Sequence, residues 1–206
     1  MTRAPAAAAA RRSGACWPRG RSEIRVQGAT FVSVFIAGIM RALRCDVINQ
    51  MSATDSLPAQ LSALQHVLDA MPPVAAMQIR VHDYRDGVLH IHAPLAANVN
   101  DKGNAFGGSL ASALTLSGWA LVTLRLRLAG FDADVYVADS HIRYLAPVYG
   151  DLHAQAQADA ETDWDSFLAT FAQRGKARIS LTARQPGEGD KAAAELSGRF
   201  VAFARR

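Results

Sequence analysis

A run of twenty residues without an ionisable side chain, residues 105–124, constrains the fold of this 206-residue chain more than any other feature. The run is long enough for about five turns of α-helix, and it carries no consistently charged face. A helix that is apolar nearly all round has to be enclosed by the rest of a protein or by a membrane. The question is therefore which of the two surrounds it.

Length alone would allow this run to cross a bilayer. Eight of its twenty residues, however, are Gly, Ser or Thr, and segments with strand character lie on both sides of it. We therefore predict a helix that is wrapped by a β-sheet, in a protein without a membrane span.

The remaining patterns predict how that sheet is built. Leucines at three- and four-residue steps predict a first helix over residues 57–71. Alternating segments at 74–84 and 88–94 flank Asp86-Gly87, a pair typical of β-hairpins. Downstream we expect strands at 134–148, 152–159, 177–183 and 193–203, and a helix at 164–173. The strand at 152–159 is expected to pair with the strand at 134–148.

A polar, glycine-rich loop leads directly into the long helix. Residues 100–109 read Asn-Asp-Lys-Gly-Asn-Ala-Phe-Gly-Gly-Ser. The first amides of a helix have no partner within it and lie at the positive end of its dipole. An anion or a polarised carbonyl oxygen is stabilised by such groups. We therefore expect Gly107 and Gly108 to bind an oxygen of a ligand.

The charge distribution argues against a nucleic-acid partner. Residues 1–45 contain eight of the 22 basic side chains and only one of the 18 acids. The rest of the chain therefore carries a net charge of about −3. It has no excess of positive charge with which to attract a nucleic acid. Both cysteines, Cys16 and Cys45, lie in the same basic segment, so the remainder fits a reducing, cytoplasmic compartment.

The first fifty residues have the composition of a segment outside the folded domain. They hold an alanine run, scattered arginines and a short apolar patch that is too brief to span a bilayer. We expect residues 1–50 to be a disordered leader or a translated upstream region, with Met51 as the more plausible start. A targeting segment and a functional tail are the alternatives.

Two segments resemble the hotdog-fold thioesterases. Residues 100–108 read Asn-x-x-Gly-x-x-Phe-Gly-Gly, similar to the signature in which Asn and Gly precede His-Gly-Gly at the helix start. Residues 142–151 read Ile-Arg-Tyr-Leu-Ala-Pro-Val-x-Gly-Asp, similar to the strand that crosses behind the helix. More closely, residues 57–203 resemble the thioesterase domain at the C-terminus of bacterial YiiD acetyltransferase-like proteins, which also occurs as a stand-alone protein.

The resemblance implies an α+β hotdog fold over residues 51–206, with an antiparallel sheet wrapped around one long central helix. It implies a homodimer or a dimer of dimers that acts on an acyl thioester carried by coenzyme A or by acyl carrier protein. It implies no cofactor.

The chain departs from that family pattern at two positions. The usual histidine before the two glycines is Phe106 here, and the position seven residues after Gly108, where many relatives have Asp or Glu, is Thr115. A threonine hydroxyl holds a water by hydrogen bonding but supplies no base strength. The loss of the carboxylate leaves a second reading open, in which the protein is a non-catalytic acyl-binding or regulatory module.

For the hydrolase we expect a water nucleophile that is oriented by Asn100, Asp101 or Thr115, with Gly108 polarising the carbonyl. The residues expected to line the ligand are Gly103, Phe106, Gly107 and Ser109. The ordinary alternatives are that Asp101 caps or turns the loop, that Asn100 is a turn residue, and that Thr115 bonds to a backbone carbonyl.

No metal site is expected. His90 and His92 lie on one face of a predicted strand, but no further ligand is near them in the sequence. We interpret them as a surface pair.

Overall fold

The computed structural model describes residues 56–159 and 161–205, so the prediction for residues 1–50 lies outside the described residues. The elements in chain order are α1 (Leu57–Asp69), α2 (Pro72–Ala76), β1 (Arg80–Arg85), β2 (Val88–Ala93), a 3-10 turn (Leu95–Ala97), α3 (Gly107–Leu128), β3 (Ala133–Tyr144), β4 (Leu152–Ala158), α4 (Trp164–Arg174), β5 (Lys176–Pro186) and β6 (Ala192–Ala204).

The six strands form one antiparallel sheet in the order β1-β2-β4-β5-β6-β3. The helix α3 packs against β2, β3, β4, β5 and β6, so the sheet wraps along most of its length. This is the α+β arrangement expected from the hotdog resemblance, and that prediction is confirmed.

The burial of α3 explains its apolar sequence. Among the described residues it is the one helix that is long and apolar enough to cross a membrane, and two thirds of its most apolar stretch is buried inside the fold. The approach of helix to sheet is close, since a Cβ on Gly118 would fall 2.5 Å from the buried ring of Phe200. This is the packing of a core helix.

The first predicted strand begins later than expected. Residues 74–76 belong to the short helix α2 rather than to β1, because Pro72 and Pro73 occupy its first turn, where proline favours a helix start. The turn between β1 and β2 is the expected Asp-Gly hairpin, with φ of 51° at Asp86 and 80° at Gly87.

The expected pairing of β3 with β4 is wrong. β4 pairs with β2 and β5, whereas β3 pairs with β6 at one end of the sheet. Two strands lie between them, a distance of about 14 Å at the usual strand spacing. The loop 145–151 that joins β3 to β4 is long enough to cross it, since seven extended residues reach about 23 Å.

Candidate functional site

The loop before α3 is closed by its own backbone. The N–H of Phe106 donates to the carbonyl of Asn98 at 2.7 Å, and the N–H of Asn100 donates to the carbonyl of Asn104 at 2.8 Å. An isolated β-bridge joins Val99 to Ala105. The two ends of the loop are therefore held together, which fixes the direction in which the chain enters the helix.

Asn100 shapes this loop from within. Its Nδ2 donates to Oδ1 of Asn104 at 2.7 Å, and its Oδ1 accepts the N–H groups of Lys102 at 2.8 Å and Asn104 at 3.3 Å. Such side-chain to backbone bonds define an Asx turn. Both the nitrogen and the oxygen of the Asn100 carboxamide are therefore hydrogen-bonded within the loop.

Asp101 and Gly103 occupy the exposed tip of the loop. The Asp101 side chain is 80% exposed and pairs with Nζ of Lys102 at 2.9 Å. Gly103 has a φ of 76° and is exposed, so it completes the tight turn. Asp101 therefore supplies this loop tip with a carboxylate, a group that can take part in proton transfer, whereas Gly103 has no side chain.

The first turn of α3 leaves three backbone donors free. Within the described chain, the N–H groups of Gly107, Gly108 and Ser109 have no acceptor, whereas the N–H of Leu110 already bonds to the carbonyl of Phe106 at 3.0 Å. No side chain caps this helix end. The amides expected from the sequence to bind an oxygen are therefore available.

Two aromatic rings flank these amides, and both side chains are more than half exposed. The ring of Phe106 covers Gly108 so closely that a Cβ there would lie 2.3 Å from Cε1 of the ring. The ring of Tyr144 lies 3.6 Å from the place of a Cβ on Gly107, and its hydroxyl donates to the carbonyl of Gly107 at 3.0 Å. Two aromatic rings therefore lie beside the glycines that carry the free amides.

Asn98 connects the loop to two neighbouring segments of the fold by hydrogen bonds. Its side chain is buried, and its Nδ2 donates to the carbonyls of Met77 at 2.9 Å and Pro94 at 2.8 Å. Its own carbonyl holds Phe106, as described above. Asn98 therefore joins the segment after α2, the end of β2 and the loop into one rigid base.

Sequence reasoning missed Tyr144 and Asn98. Tyr144 is 37 residues from Gly107 in the chain, and only the folding of β3 beside the helix brings them together. The motif around Tyr144 was visible in the sequence, but it indicated a strand and carried no information about the direction of this side chain.

Thr115 lies on the same helix, seven positions beyond Gly108, and is half-buried. Its hydroxyl has no partner among the described residues. By contrast, the hydroxyls of Ser112, Ser117 and Thr123 donate to carbonyls of the helix itself. Thr115 and Ser109 are therefore the two residues of α3 whose hydroxyls have no hydrogen bond among the described residues.

The outer face of the sheet carries a cluster of histidines, which we call the histidine cluster: His82, His90, His92 and His153. The rings of His82 and His92 are stacked with centroids 4.1 Å apart, and the ring of His153 meets that of His92 edge-on at 4.2 Å. In the part of the chain that the structure describes, no group of His, Cys, Asp or Glu is arranged to hold a metal ion.

Burial lowers the pKa of His92 below its usual value, and the nearby imidazoles of His153 and His82 lower it further. Burial likewise lowers the pKa of His90, although the Asp83 carboxylate acts in the opposite direction. These imidazoles are therefore held in their neutral form at pH values where a free histidine begins to charge.

A cleft of about 900 Å³ lies between the loop 145–151 and the β5–β6 turn, and Gly107, Gly108 and Ser109 are not among the residues that line it. Four acids line it, Asp151, Glu188, Asp190 and Glu195, against the cationic Lys191. This lining has a negative net charge, which disfavours an anionic ligand. The cleft and the free amides of α3 are therefore two different candidate sites, and the amides are the one that offers unpaired backbone donors.

Comparison with known proteins bears on the family and the fold. The family model described as "Putative thioesterase (yiiD_Cterm)" matches residues 61–204. A solved "putative thioesterase" from Shewanella oneidensis is 32% identical over 70% of this chain and 97% of its own, with a TM-score of 0.63.

Two further solved structures are similar. A protein of unknown function from Chlorobaculum tepidum is 28% identical over 75% of this chain and 100% of its own, with a TM-score of 0.70. A thioesterase from Haemophilus influenzae, at 14% identity, covers 70% of this chain and 90% of its own with a TM-score of 0.53, which speaks to the fold alone.

Proposed function

The chain belongs to the yiiD_Cterm thioesterase family, and we propose that it hydrolyses acyl thioesters with the carbonyl oxygen held by the first amides of α3. The observation that carries the proposal is the set of three N–H groups at the start of α3 that have no acceptor in the described chain. An acyl-CoA or acyl carrier protein conjugate is the proposed substrate, and the cytoplasm the proposed location. The reaction needs no cofactor.

The amides lower the barrier by stabilising charge that develops on the carbonyl oxygen. Water adds to the carbonyl carbon, the oxygen becomes an oxyanion, and the C–S bond then breaks as the thiolate leaves and takes up a proton. Each preorganised N–H donor of this kind contributes about 10²–10³ in rate. The positive end of the α3 dipole acts in the same direction.

The attacking water needs a holder and a proton acceptor. Thr115 is proposed to hold the water, because its half-buried hydroxyl has no partner among the described residues, whereas those of Ser112 and Ser117 donate to carbonyls of the helix. Asp101, the carboxylate of the loop tip, is proposed to take the proton. Asn100 contributes by fixing the loop that presents Asp101, since its side chain is already engaged there.

One chain does not bring these groups to the same carbonyl. Seven residues separate Gly108 from Thr115, a rise of about 10 Å along the helix, whereas a hydrogen bond spans about 3 Å. Two copies of α3 running antiparallel and centred near Ser112 would set Gly108 against Thr115 of the partner subunit. We therefore propose a homodimer, alone or within a dimer of dimers, as the active unit.

The acyl chain is proposed to lie along the face of α3 that its own sheet leaves half-buried. That face carries Ala111, Thr115, Leu116 and Trp119. Apolar contact along it stabilises an acyl chain by about 0.8 kcal/mol for each methylene group that is buried.

A thiol-release assay with acyl-CoA of graded chain lengths and with acyl carrier protein conjugates tests the proposal. We expect turnover, reduced by Asp101→Asn, together with stabilisation of the protein against heat by its substrates. Stabilisation without any turnover would contradict the hydrolase and select the non-catalytic acyl-binding module, which the replacement of the helix carboxylate by Thr115 favours.

Mixed dimers test the two-chain site. Gly108→Ala and Thr115→Val chains are each expected to be impaired as homodimers. A co-refolded equal mixture is expected to regain about a quarter of wild-type activity, because each heterodimer then contains one site with both native residues. No recovery above the two separate variants would contradict a site shared between chains.

A further inference from the structure

We propose that Tyr144 is a positioning residue that strengthens the Gly108 N–H as a hydrogen-bond donor by bonding to the carbonyl of Gly107. This inference deepens the proposed function and rests on it. The Tyr144 hydroxyl lies 3.0 Å from the Gly107 oxygen. That oxygen and the Gly108 N–H belong to one peptide unit, since the C=O of Gly107 is bonded to the nitrogen of Gly108.

A hydrogen bond to the oxygen of a peptide unit draws electron density away from its nitrogen. The N–H at the other end then becomes a stronger donor, as happens along chains of hydrogen bonds. In α3 the N–H in question is one of the three that have no acceptor within the described chain. The bond from Tyr144 therefore acts on the amide that faces the ligand.

The same bond also fixes the direction of the amide. Tyr144 is the last residue of β3 and pairs with Ala194 of β6, so its position is set by the sheet. The hydroxyl ties the Gly107–Gly108 peptide plane to that sheet. A donor that does not need to reorient during the reaction contributes more to lowering the barrier.

The alternative is that this bond merely joins the end of β3 to the start of α3. A structural tie of that kind would affect the stability of the fold, but it would leave the Gly108 amide and the balance between kcat and KM unchanged. Tyr144→Phe separates the two roles because it removes the hydroxyl and keeps the ring that lies over Gly107.

The sequence provides an unambiguous way to observe the amide. Gly107-Gly108 is the only Gly-Gly pair in the chain. Protein labelled with [1-¹³C,¹⁵N]-glycine therefore gives one amide correlation through a labelled carbonyl, that of Gly108. The experiment uses the ligand-free full chain and requires no activity.

Tyr136 offers a matched control. It lies on the same strand and is as exposed as Tyr144, at 56%, and its hydroxyl makes no hydrogen bond among the described residues. Tyr136→Phe therefore removes a hydroxyl from β3 without touching the peptide unit at the helix start.

In Tyr144→Phe we expect the Gly108 proton resonance to move to lower frequency, and kcat to fall about two- to eightfold with KM unchanged. Tyr136→Phe is expected to change neither. An unmoved Gly108 resonance, or an unchanged kcat in an active protein, would overturn the inference. If wild-type protein hydrolyses no thioester, the proposed function fails, while the resonance still decides whether Tyr144 polarises the amide.

Discussion

Gly107 and Gly108 are neighbours in sequence, yet a methyl group would meet very different surroundings at the two positions. At Gly107 a Cβ would lie 3.6 Å from the Tyr144 ring, which is ordinary contact. At Gly108 it would lie 2.3 Å from Cε1 of Phe106, closer than carbon atoms approach. A methyl group at Gly108 therefore has to displace the exposed Phe106 ring, whereas at Gly107 it displaces nothing.

We predict that Gly108→Ala lowers kcat for thiol release by at least about tenfold, because the methyl group and the displaced Phe106 ring crowd an amide that contributes about 10²–10³ in rate. Gly107→Ala is the matched control and is expected to stay within a few-fold of wild type. Steady-state kinetics of the two purified variants provide the comparison.

The steric origin of this effect is itself testable. Replacing Phe106 by Ala in the Gly108→Ala background removes the colliding ring, and the double variant is expected to be more active than Gly108→Ala alone. Equal impairment of Gly107→Ala and Gly108→Ala would contradict the account of the two positions.

The local part of the site could be predicted from the sequence. The glycine loop, the free amides and the turn role of Asn100 follow from residues within ten positions of one another. The contact between Tyr144 and Gly107, and the base that Asn98 forms with Met77, depend on segments that are brought together only by the sheet. The periodic patterns of the sequence do not show which distant segments come into contact.

At the scale of the elements, the β1, β2 and β4 strands are joined on their outer face by the histidine cluster. His92 lies directly opposite His153 in the β2–β4 pairing, and the ring of His82 on β1 stacks on His92. Protonation would place like charges on rings about 4 Å apart. The cluster therefore couples the pairing of this side of the sheet to pH.

We predict that acidification destabilises the fold through this cluster. The folded-state pKa of His92 and His90 is lowered, so below the ordinary histidine value of 6.5 the unfolded chain binds protons that the folded chain does not. Stability is full above that pH and falls as the pH drops through it, by up to about 1.4 kcal/mol per pH unit for each such group. Urea unfolding at about pH 7.5 and about pH 5.5 measures the difference.

His92→Gln is expected to reduce that difference, since it removes the central ring of the cluster. His141→Gln, on exposed β3 and outside the cluster, is the control and should keep the wild-type pH dependence. The same pH dependence in His92→Gln and wild type would show that the cluster is not responsible.

The elements were predictable to the extent that their signals are local. The hairpin at Asp86-Gly87 and the long helix follow from turn chemistry and from the absence of charge. The strands that pair with β4 were not predictable, because an alternating sequence shows that a strand has one buried face and does not show which strands lie beside it. Residues 72–76 show how two prolines after a helix begin a new helical turn instead of a strand.

At the scale of the whole molecule, β3 is an edge strand of the sheet, and no described residue pairs with its outer side. It is twelve residues long and pairs with β6 alone, and Tyr136 and Val137 on it are exposed. A long edge strand of this kind invites pairing with another chain. A second copy at this edge fits the two-chain site that the spacing of Gly108 and Thr115 requires.

We predict that the purified protein is a dimer by light scattering and that Val137→Glu converts it into a monomer, since burying a carboxylate in the interface without a partner is costly. The monomer is expected to lose at least about 100-fold in thiol release, because it lacks half of each site. Arg178→Glu, exposed on β5, is the control for a change of charge. A fully active monomer would contradict the dimeric site.

The central claim, that the first amides of α3 bind the acyl oxygen, is tested most directly by the infrared spectrum of a bound carbonyl. A ketone analogue of acyl-CoA, with a ¹³C-labelled carbonyl next to a methylene in place of the sulfur, binds without being cleaved. We predict that its carbonyl stretch lies at lower frequency on the wild-type protein than in water, and that Gly108→Ala reduces this shift. A bound carbonyl that absorbs at its aqueous frequency would contradict the account.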